Sequence, residues 1–252
     1  MRGESSRTGS RPCVARLSPG LIGKRIVQIS DIHAGPVVDQ RWLLDVLEQV
    51  AELEPDLIAL TGDFMTCLGE ESIPKALEAI DALPRSPLGN FAVMGNHDYG
   101  RGFRQHRIAD KLCNEFQRRQ IRVLSNEVAD IEGLQIAGVD DLWSGRFSPE
   151  RMLNDLDGDS PAIALCHNPD GADHVAWRDF HGWILAGHTH GGQCKAPFFR
   201  PPIVPVRNKR YYAGQYDLGP GRRMYINRGL GYLRRIRFNV RPELTVFTLT
   251  AV

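Results

Sequence analysis

The chain has 252 residues, 42% hydrophobic and 24% charged, with a formal net charge of +1. These proportions suit one sizeable core and exclude a low-complexity chain, and no stretch approaches the roughly 20 apolar residues that a membrane-spanning helix requires. The five cysteines, Cys13, Cys67, Cys113, Cys166 and Cys194, are scattered and without Cys-x-x-Cys spacing, which argues against a disulfide framework or a zinc ribbon and for a reducing, cytoplasmic setting.

Residues 1–23 are rich in Arg, Ser, Gly and Pro and lack an apolar signal core, so they read as a flexible leader before a single domain at 24–252. A short apolar strand is predicted at 25–30. Helical periodicity follows at 40–53, with Leu43, Leu44, Leu47, Val50 and Ala51 on one face. A strand at 56–60, a helix at 72–83 and a strand at 91–94 complete a run that reads as successive parallel βαβ units. A helix at 107–120 precedes short strands at 121–124, 128–131 and 134–139, the last two joined by Glu132-Gly133. A helix at 149–156 and strands at 162–166 and 183–186 follow. A Pro-, Gly- and aromatic-rich loop is expected at 197–221, then strands at 224–227 and 244–249.

Five clusters carry the chemistry: Asp31-Ile32-His33, Gly62-Asp63, Gly95-Asn96-His97-Asp98, His167-Asn168 and Gly187-His188-Thr189-His190. Each follows a predicted strand, and in open α/β sheets ligands bind beyond the carboxyl ends of strands. The set of Asp, Asn and His side chains suits two divalent metals sharing one carboxylate, an arrangement for hydrolysis at phosphorus. Mixed nitrogen and oxygen ligands favour Mn²⁺, Fe or Zn²⁺ over Ca²⁺ or Mg²⁺. The glycines Gly62, Gly95 and Gly187 are read as permitting tight strand-end turns.

Between Lys195 and Arg241 twelve basic residues stand against one acid, Asp217. Such a segment beside a metal site would attract an anionic phosphate-containing substrate or, peripherally, an anionic membrane surface. Aromatic residues Phe198, Phe199, Tyr211 and Tyr212 lie among these charges. No nucleic-acid module accompanies them, so nucleic acid is not an expected partner.

With its five clusters in this order, the sequence resembles the calcineurin-like metallophosphoesterases over about residues 24–250. It is most similar to their bacterial YkuE- and YaeI-like branch, sharing Ser30-Asp31-Ile32-His33, Gly187–Gln193 as Gly-His-Thr-His-Gly-Gly-Gln, and Asn227-Arg228-Gly229-Leu230-Gly231 followed by Arg237-Phe238. The resemblance implies a four-layer α/β/β/α sandwich with mixed sheets. It implies one metal held by Asp31, His33 and His190, another by Asn96, His167 and His188, and Asp63 bridging them; it favours Mn²⁺. It further implies attack by a metal-bound hydroxide on a phosphodiester or pyrophosphate bond, and some members of the branch hydrolyse UDP-2,3-diacylglucosamine. His97, beside the ligand Asn96 but not itself an expected ligand, is the candidate general acid, with Asp98 orienting it. Asn96, His97 and Arg228 are candidate substrate contacts. A phosphomonoesterase or protein phosphatase, and a non-catalytic scaffold of the same fold, are the alternatives.

Overall fold

Short strands with large apolar side chains on alternate faces let this chain stack two sheets and cover both outer surfaces. The computed structural model describes residues 6–10, 13–14, 16–66 and 69–251. In chain order the elements are β1 (Ser6–Ser10), β2 (Cys13–Val14), β3 (Arg25–Ile29), α1 (Gln40–Glu48), β4 (Leu57–Leu60), α2 (Ile73–Asp81), β5 (Asn90–Ala92), α3 (His106–Arg118) and β6 (Ile121–Val123). They continue with β7 (Glu127–Ile131), β8 (Leu134–Gly138), α4 (Pro149–Asn154), β9 (Ala162–Leu165), β10 (Gly182–Ala186), β11 (Gly214–Asp217), β12 (Arg222–Ile226), β13 (Glu243–Thr248) and β14 (Thr250–Ala251).

One six-stranded sheet runs β1-β13-β3-β4-β5-β6, parallel except where β13 meets β3. The other runs β11-β12-β10-β9-β8-β7, parallel in its centre and antiparallel at both ends. Alternation along each strand divides the core. Ile26, Leu57, Ala59 and Phe91 pack between the sheets with Ile163, Leu165, Trp183 and Leu185. Val27, Ile29, Ile58 and Leu60 face outward to meet Leu43 and Leu47 of α1, Ala76 and Ile80 of α2, and Leu112 and Phe116 of α3. On the opposite side Ala162, Ala164 and Ile184 are covered by Met152 of α4, Trp177, Phe180, Val204 and Tyr211. The result is a four-layer α/β/β/α sandwich.

Several elements differ from the sequence reading. The helix expected over 40–53 ends at Glu48; Ala51–Leu53 is a 3₁₀ turn, closed by Glu54 at φ 44°. At its start the Asp39 carboxylate accepts the N–H of Arg41 and Trp42, a side-chain cap. The expected long loop contains β11, an edge strand paired with β12. Much of the expected leader is also ordered: β1 adds a parallel strand beside β13, and Leu17 and Leu21 are buried between the sheets. An edge strand of polar residues, paired through its backbone, leaves no apolar pattern to read. Residues 1–5, 11–12 and 15 of that segment, and Cys67, lie outside the described residues. Among those described, no helix is long and apolar enough to cross a membrane.

Candidate metal centre

Strands β3, β4, β5, β9 and β10 deliver the five motif clusters to one place. At their carboxyl ends the backbone turns sharply, with Asp31, His33, Asp63, His188 and His190 at φ between 48° and 70°. That left-handed region is disfavoured for non-glycine residues and is held only where the surroundings enforce it. Gly62 has φ 87°, and a Cβ there would lie 2.6 Å from the Gly95 amide nitrogen and 2.7 Å from His167 Nδ1. Only glycine lets these two strand ends approach.

All seven side chains expected to hold metal converge. Ligand atoms of Asp31, His33 and His190 lie within 4.8 Å of one another, as do those of Asp63, His167 and His188, and all six residues are buried. His190 Nε2 is 3.0 Å from His33 Nε2 and 3.4 Å from Asp31 Oδ1. His167 Nε2 is 3.2 Å from both His188 Nδ1 and Asn96 Oδ1. Asp63 Oδ2 joins the two groups, 3.5 Å from His33 Nε2 and 3.3 Å from His167 Nε2. Its other oxygen accepts the His97 N–H at 2.8 Å.

Hydrogen bonds to backbone carbonyls set which ring nitrogens face inward. Nδ1 of His167 donates to Thr61 O at 2.7 Å, Nε2 of His188 to Pro205 O at 2.9 Å, and Nδ1 of His190 to Gly231 O at 3.3 Å. The opposite nitrogen of each ring is therefore the one turned into the site, the pattern by which metal-binding histidines are oriented. Lone pairs of His167 and His188 facing one another at 3.2 Å repel unless positive charge lies between them. Donor atoms about 2.1 Å from a shared cation, at angles between octahedral and tetrahedral, stand roughly 3.0–3.4 Å apart, which is the spacing seen here. The residues fit divalent cations.

The charges agree. Burial moves the His33 and His188 imidazoles down to about 3, and His190 well below its usual range. Burial also lifts Asp31 to about 7, with Asp63 adding repulsion and His167 and the Ser30 hydroxyl opposing. For Asp63 burial is outweighed by His167, His97 and His33, which hold the carboxyl well below its usual range. Burial likewise opposes a charge on His167, but Asp63 overrides it and keeps that ring protonated well above the ordinary value.

His97 is half-buried at the mouth, its ring 4.9 Å from that of His33 and 5.4 Å from that of Phe103. The adjacent Asp98 is fully buried. Its two oxygens accept the backbone N–H groups of Asp63, Phe64, Met65 and Gly95 at 2.8–3.2 Å, so it clamps the turn that presents Asp63. Arg228 places Nε 2.7 Å from Glu243 Oε2 and Nη2 2.7 Å from Ser6 Oγ, tying β12 to the first sheet. Arg237 lies nearer the site, with Nη2 bonded to the carbonyls of Arg228, Gly229 and Gly231 and 3.4 Å from His190 Nδ1.

Three further site residues had escaped the sequence reading. Trp143 stands edge-on to His188 at 4.7 Å and packs on Phe103 at 5.6 Å, making an aromatic wall. Asp141 is buried behind it, accepts the Trp143 N–H at 2.8 Å, and is pushed up to about 7 by burial. The available signal was Asp140-Asp141 directly after a strand, the same placement as the other clusters.

Comparison with known proteins agrees with this arrangement. The family described as calcineurin-like phosphoesterase matches residues 24–192. The uncharacterized metallophosphoesterase YkuE of Bacillus subtilis is 35% identical over 239 residues, covering 91% of this chain and 80% of that protein. The phosphodiesterase YaeI of Escherichia coli is 34% identical over 236 residues, covering 89% and 82%. The UDP-2,3-diacylglucosamine pyrophosphatase LpxG of Chlamydia trachomatis is 29% identical over 277 residues, covering 89% and 83%.

Proposed function

The chain belongs to the calcineurin-like phosphoesterase family and is a metal-dependent hydrolase, and from that premise we propose that it cleaves phosphodiester or pyrophosphate bonds at the centre described above. The observation that carries the reading is the position of Asp63 Oδ2, within 3.5 Å of a nitrogen in each of the two histidine groups. Asp31, His33 and His190 would hold one divalent cation, Asn96, His167 and His188 the other, and Asp63 both. Manganese is the preferred pair, with iron or zinc compatible with the same donors. When bound, the two cations supply Lewis acidity, drawing in phosphoryl oxygens and acidifying a water for in-line attack.

The protein's own groups do the rest. Carbonyls of Thr61, Pro205 and Gly231 fix the imidazole tautomers, so the donors are aimed before substrate arrives. The Asp98 carboxylate holds the Asp63 turn through its amide bonds. To His97, half-buried beside this turn, we assign contact with the substrate and donation of a proton to the leaving oxygen. Phe103 and Trp143 wall that side of the mouth.

For the substrate, a nucleotide-linked or lipid-linked phosphate such as UDP-2,3-diacylglucosamine is the finer reading, supported by similarity to the chlamydial pyrophosphatase. A cytoplasmic location is supported by the free state of Cys113, Cys166 and Cys194. The test is a hydrolysis screen of metal-stripped protein restored with Mn²⁺, covering an aryl phosphodiester, an aryl phosphomonoester, cyclic nucleotides and UDP-2,3-diacylglucosamine. Turnover of diester or pyrophosphate bonds, lost in Asp63→Ala, is expected. Turnover of the monoester alone, or full activity in Asp63→Ala, would overturn the reading.

A further inference from the structure

Two stretches beside the metal centre expose apolar side chains that the core does not use. In the first, 195–203, Phe198, Phe199 and Ile203 stand 103%, 71% and 77% exposed; in the second, 233–238, Leu233, Ile236 and Phe238 stand 41%, 59% and 61% exposed. Among the described residues only Ile22 and Val175 join these six as exposed large hydrophobic residues. The two stretches are tied together at their bases. Cys194 bridges Phe238, the Lys195 N–H donates to Phe238 O at 3.0 Å, and the Phe238 N–H donates to Gln193 O at 2.9 Å.

The same bases are built on the site. The first stretch leaves the turn His190–Gly192 and returns by Pro205, whose carbonyl holds His188. The second includes Arg237, whose guanidinium lies against His190. The tips therefore rise from the rim of the mouth.

Exposed Arg200, Arg234 and Arg235 flank the apolar tips, and no carboxylate pairs with them among the described residues. Asp217 is the one acid from 195 to 241, and it accepts the N–H of its own neighbour Gly219. Aromatic and aliphatic tips flanked by arginines without a carboxylate partner among the described residues match a surface with an anionic outer layer over an apolar interior, which is the chemistry of an anionic lipid bilayer. A protein partner would need an acidic rim around an apolar pocket to satisfy both features.

We propose that the stretches 195–203 and 233–238 form a docking face for an anionic lipid bilayer, with the mouth of the metal centre turned toward the headgroup layer. Phe198 and Phe199 enter the interface, and Arg200, Arg234 and Arg235 meet lipid phosphates. A phosphate carried on a lipid would then reach the centre without leaving the membrane. That consequence rests on the phosphodiesterase reading; docking itself does not.

The test is co-sedimentation of the full chain with phosphatidylcholine vesicles, with and without phosphatidylglycerol, for the wild type, a Phe198→Ser/Phe199→Ser variant and an Arg234→Gln/Arg235→Gln variant. Hydrolysis of a soluble aryl phosphodiester is measured in parallel. The wild type should bind only the anionic vesicles, and less so in added salt. Each arginine should contribute about fivefold, so the arginine variant should bind roughly 25-fold more weakly, and the phenylalanine variant should not sediment. Both should hydrolyse the soluble diester as the wild type does. Binding by an inactive protein would keep the docking face and discard the phosphodiesterase reading. Failure of the wild type to bind, undiminished binding by the phenylalanine variant, or a wild-type dimer in solution that this variant dissociates would overturn the docking face.

Discussion

Because Asp63 Oδ2 is common to both histidine groups, the two cation sites should fail together when Asp63 is lost and separately when another ligand is lost. His190 Nε2 faces only Asp31 and His33, whereas Asp63 Oδ2 faces His33 and His167 at 3.5 and 3.3 Å. His190→Ala should therefore leave one site and Asp63→Ala neither. The size of the effect follows from linkage. A ligand at one hundred times its dissociation constant stabilises the folded state by about 2.7 kcal/mol, or roughly 5 kcal/mol for two independent sites. At ~2–4 °C per kcal/mol for a chain of this length, saturating Mn²⁺ should raise Tm by ~10–20 °C over chelated protein. His190→Ala should show about half this shift and Asp63→Ala almost none. Differential scanning calorimetry of chelated and Mn²⁺-loaded samples reads all three, with metal content counted by elemental analysis. A full shift in His190→Ala, or a half shift in Asp63→Ala, would show that Asp63 is not the shared ligand.

Three further outcomes follow from the geometry. His97→Ala should keep its metal-linked Tm shift but lose ~10²–10⁴ in kcat on substrates with poor leaving groups, and much less on good ones; equal losses on both would remove the proton-donor role. A Cβ at Gly187 would overlap Ser30 Oγ and lie 2.5 Å from Asp31 Oδ2, so Gly187→Ala should cost about 1–3 kcal/mol through overpacking and lose one of the two metal sites, measured by calorimetry with and without Mn²⁺; a wild-type metal shift would contradict it. Burial acts to raise the Glu243 carboxyl, but its bonds from Arg228 and Tyr225 outweigh this and hold it below the usual 4.5. Its stabilising contribution is therefore complete above that value and is lost as pH falls through the lower folded one. The Tm gap between wild type and Glu243→Gln should be widest near neutral pH and close in acid; a gap unchanged with pH would refute the pairing.

Much of this architecture was legible because parallel strands buried on both faces read as continuous apolar runs, as at Leu57–Leu60 and Ala162–Leu165. The site was legible because ligand-type residues follow those runs directly. What escaped has physical reasons. β1 and β11 are edge strands held by backbone pairing, with few apolar side chains. The tautomers are fixed by carbonyls of Thr61, Pro205 and Gly231, and a carbonyl oxygen leaves no mark in a sequence. The role of Asp98 was hidden by adjacency. Asn96–Tyr99 is a 3₁₀ turn, in which successive side chains diverge by about 120°. Asp98 is therefore turned inward to the amides of the Asp63 turn while His97 remains half-exposed.

The left-handed backbone at five of the seven converging residues explains how two motifs of the form x-any-x can each serve one small volume. Along a regular strand, residues two apart share a face but stand roughly 6–7 Å apart, too far for their donor atoms to be aimed together without a bend. Asp31 and His33 at φ 51° and 48°, and His188 and His190 at φ 70° and 51°, curl the chain as it leaves β3 and β10. Each such residue costs roughly 1–2 kcal/mol against the right-handed or extended alternative. Glycine would relieve that strain, but it would remove the donor atom. The conformation is instead imposed from outside: Asp31 is fixed by the Ser30 hydroxyl and the His188 amide, and Asp63 by the His97 amide. A divalent cation held by these donors would offset the repulsion between them. The strained backbone is thus concentrated at the strand ends, where the family motifs lie.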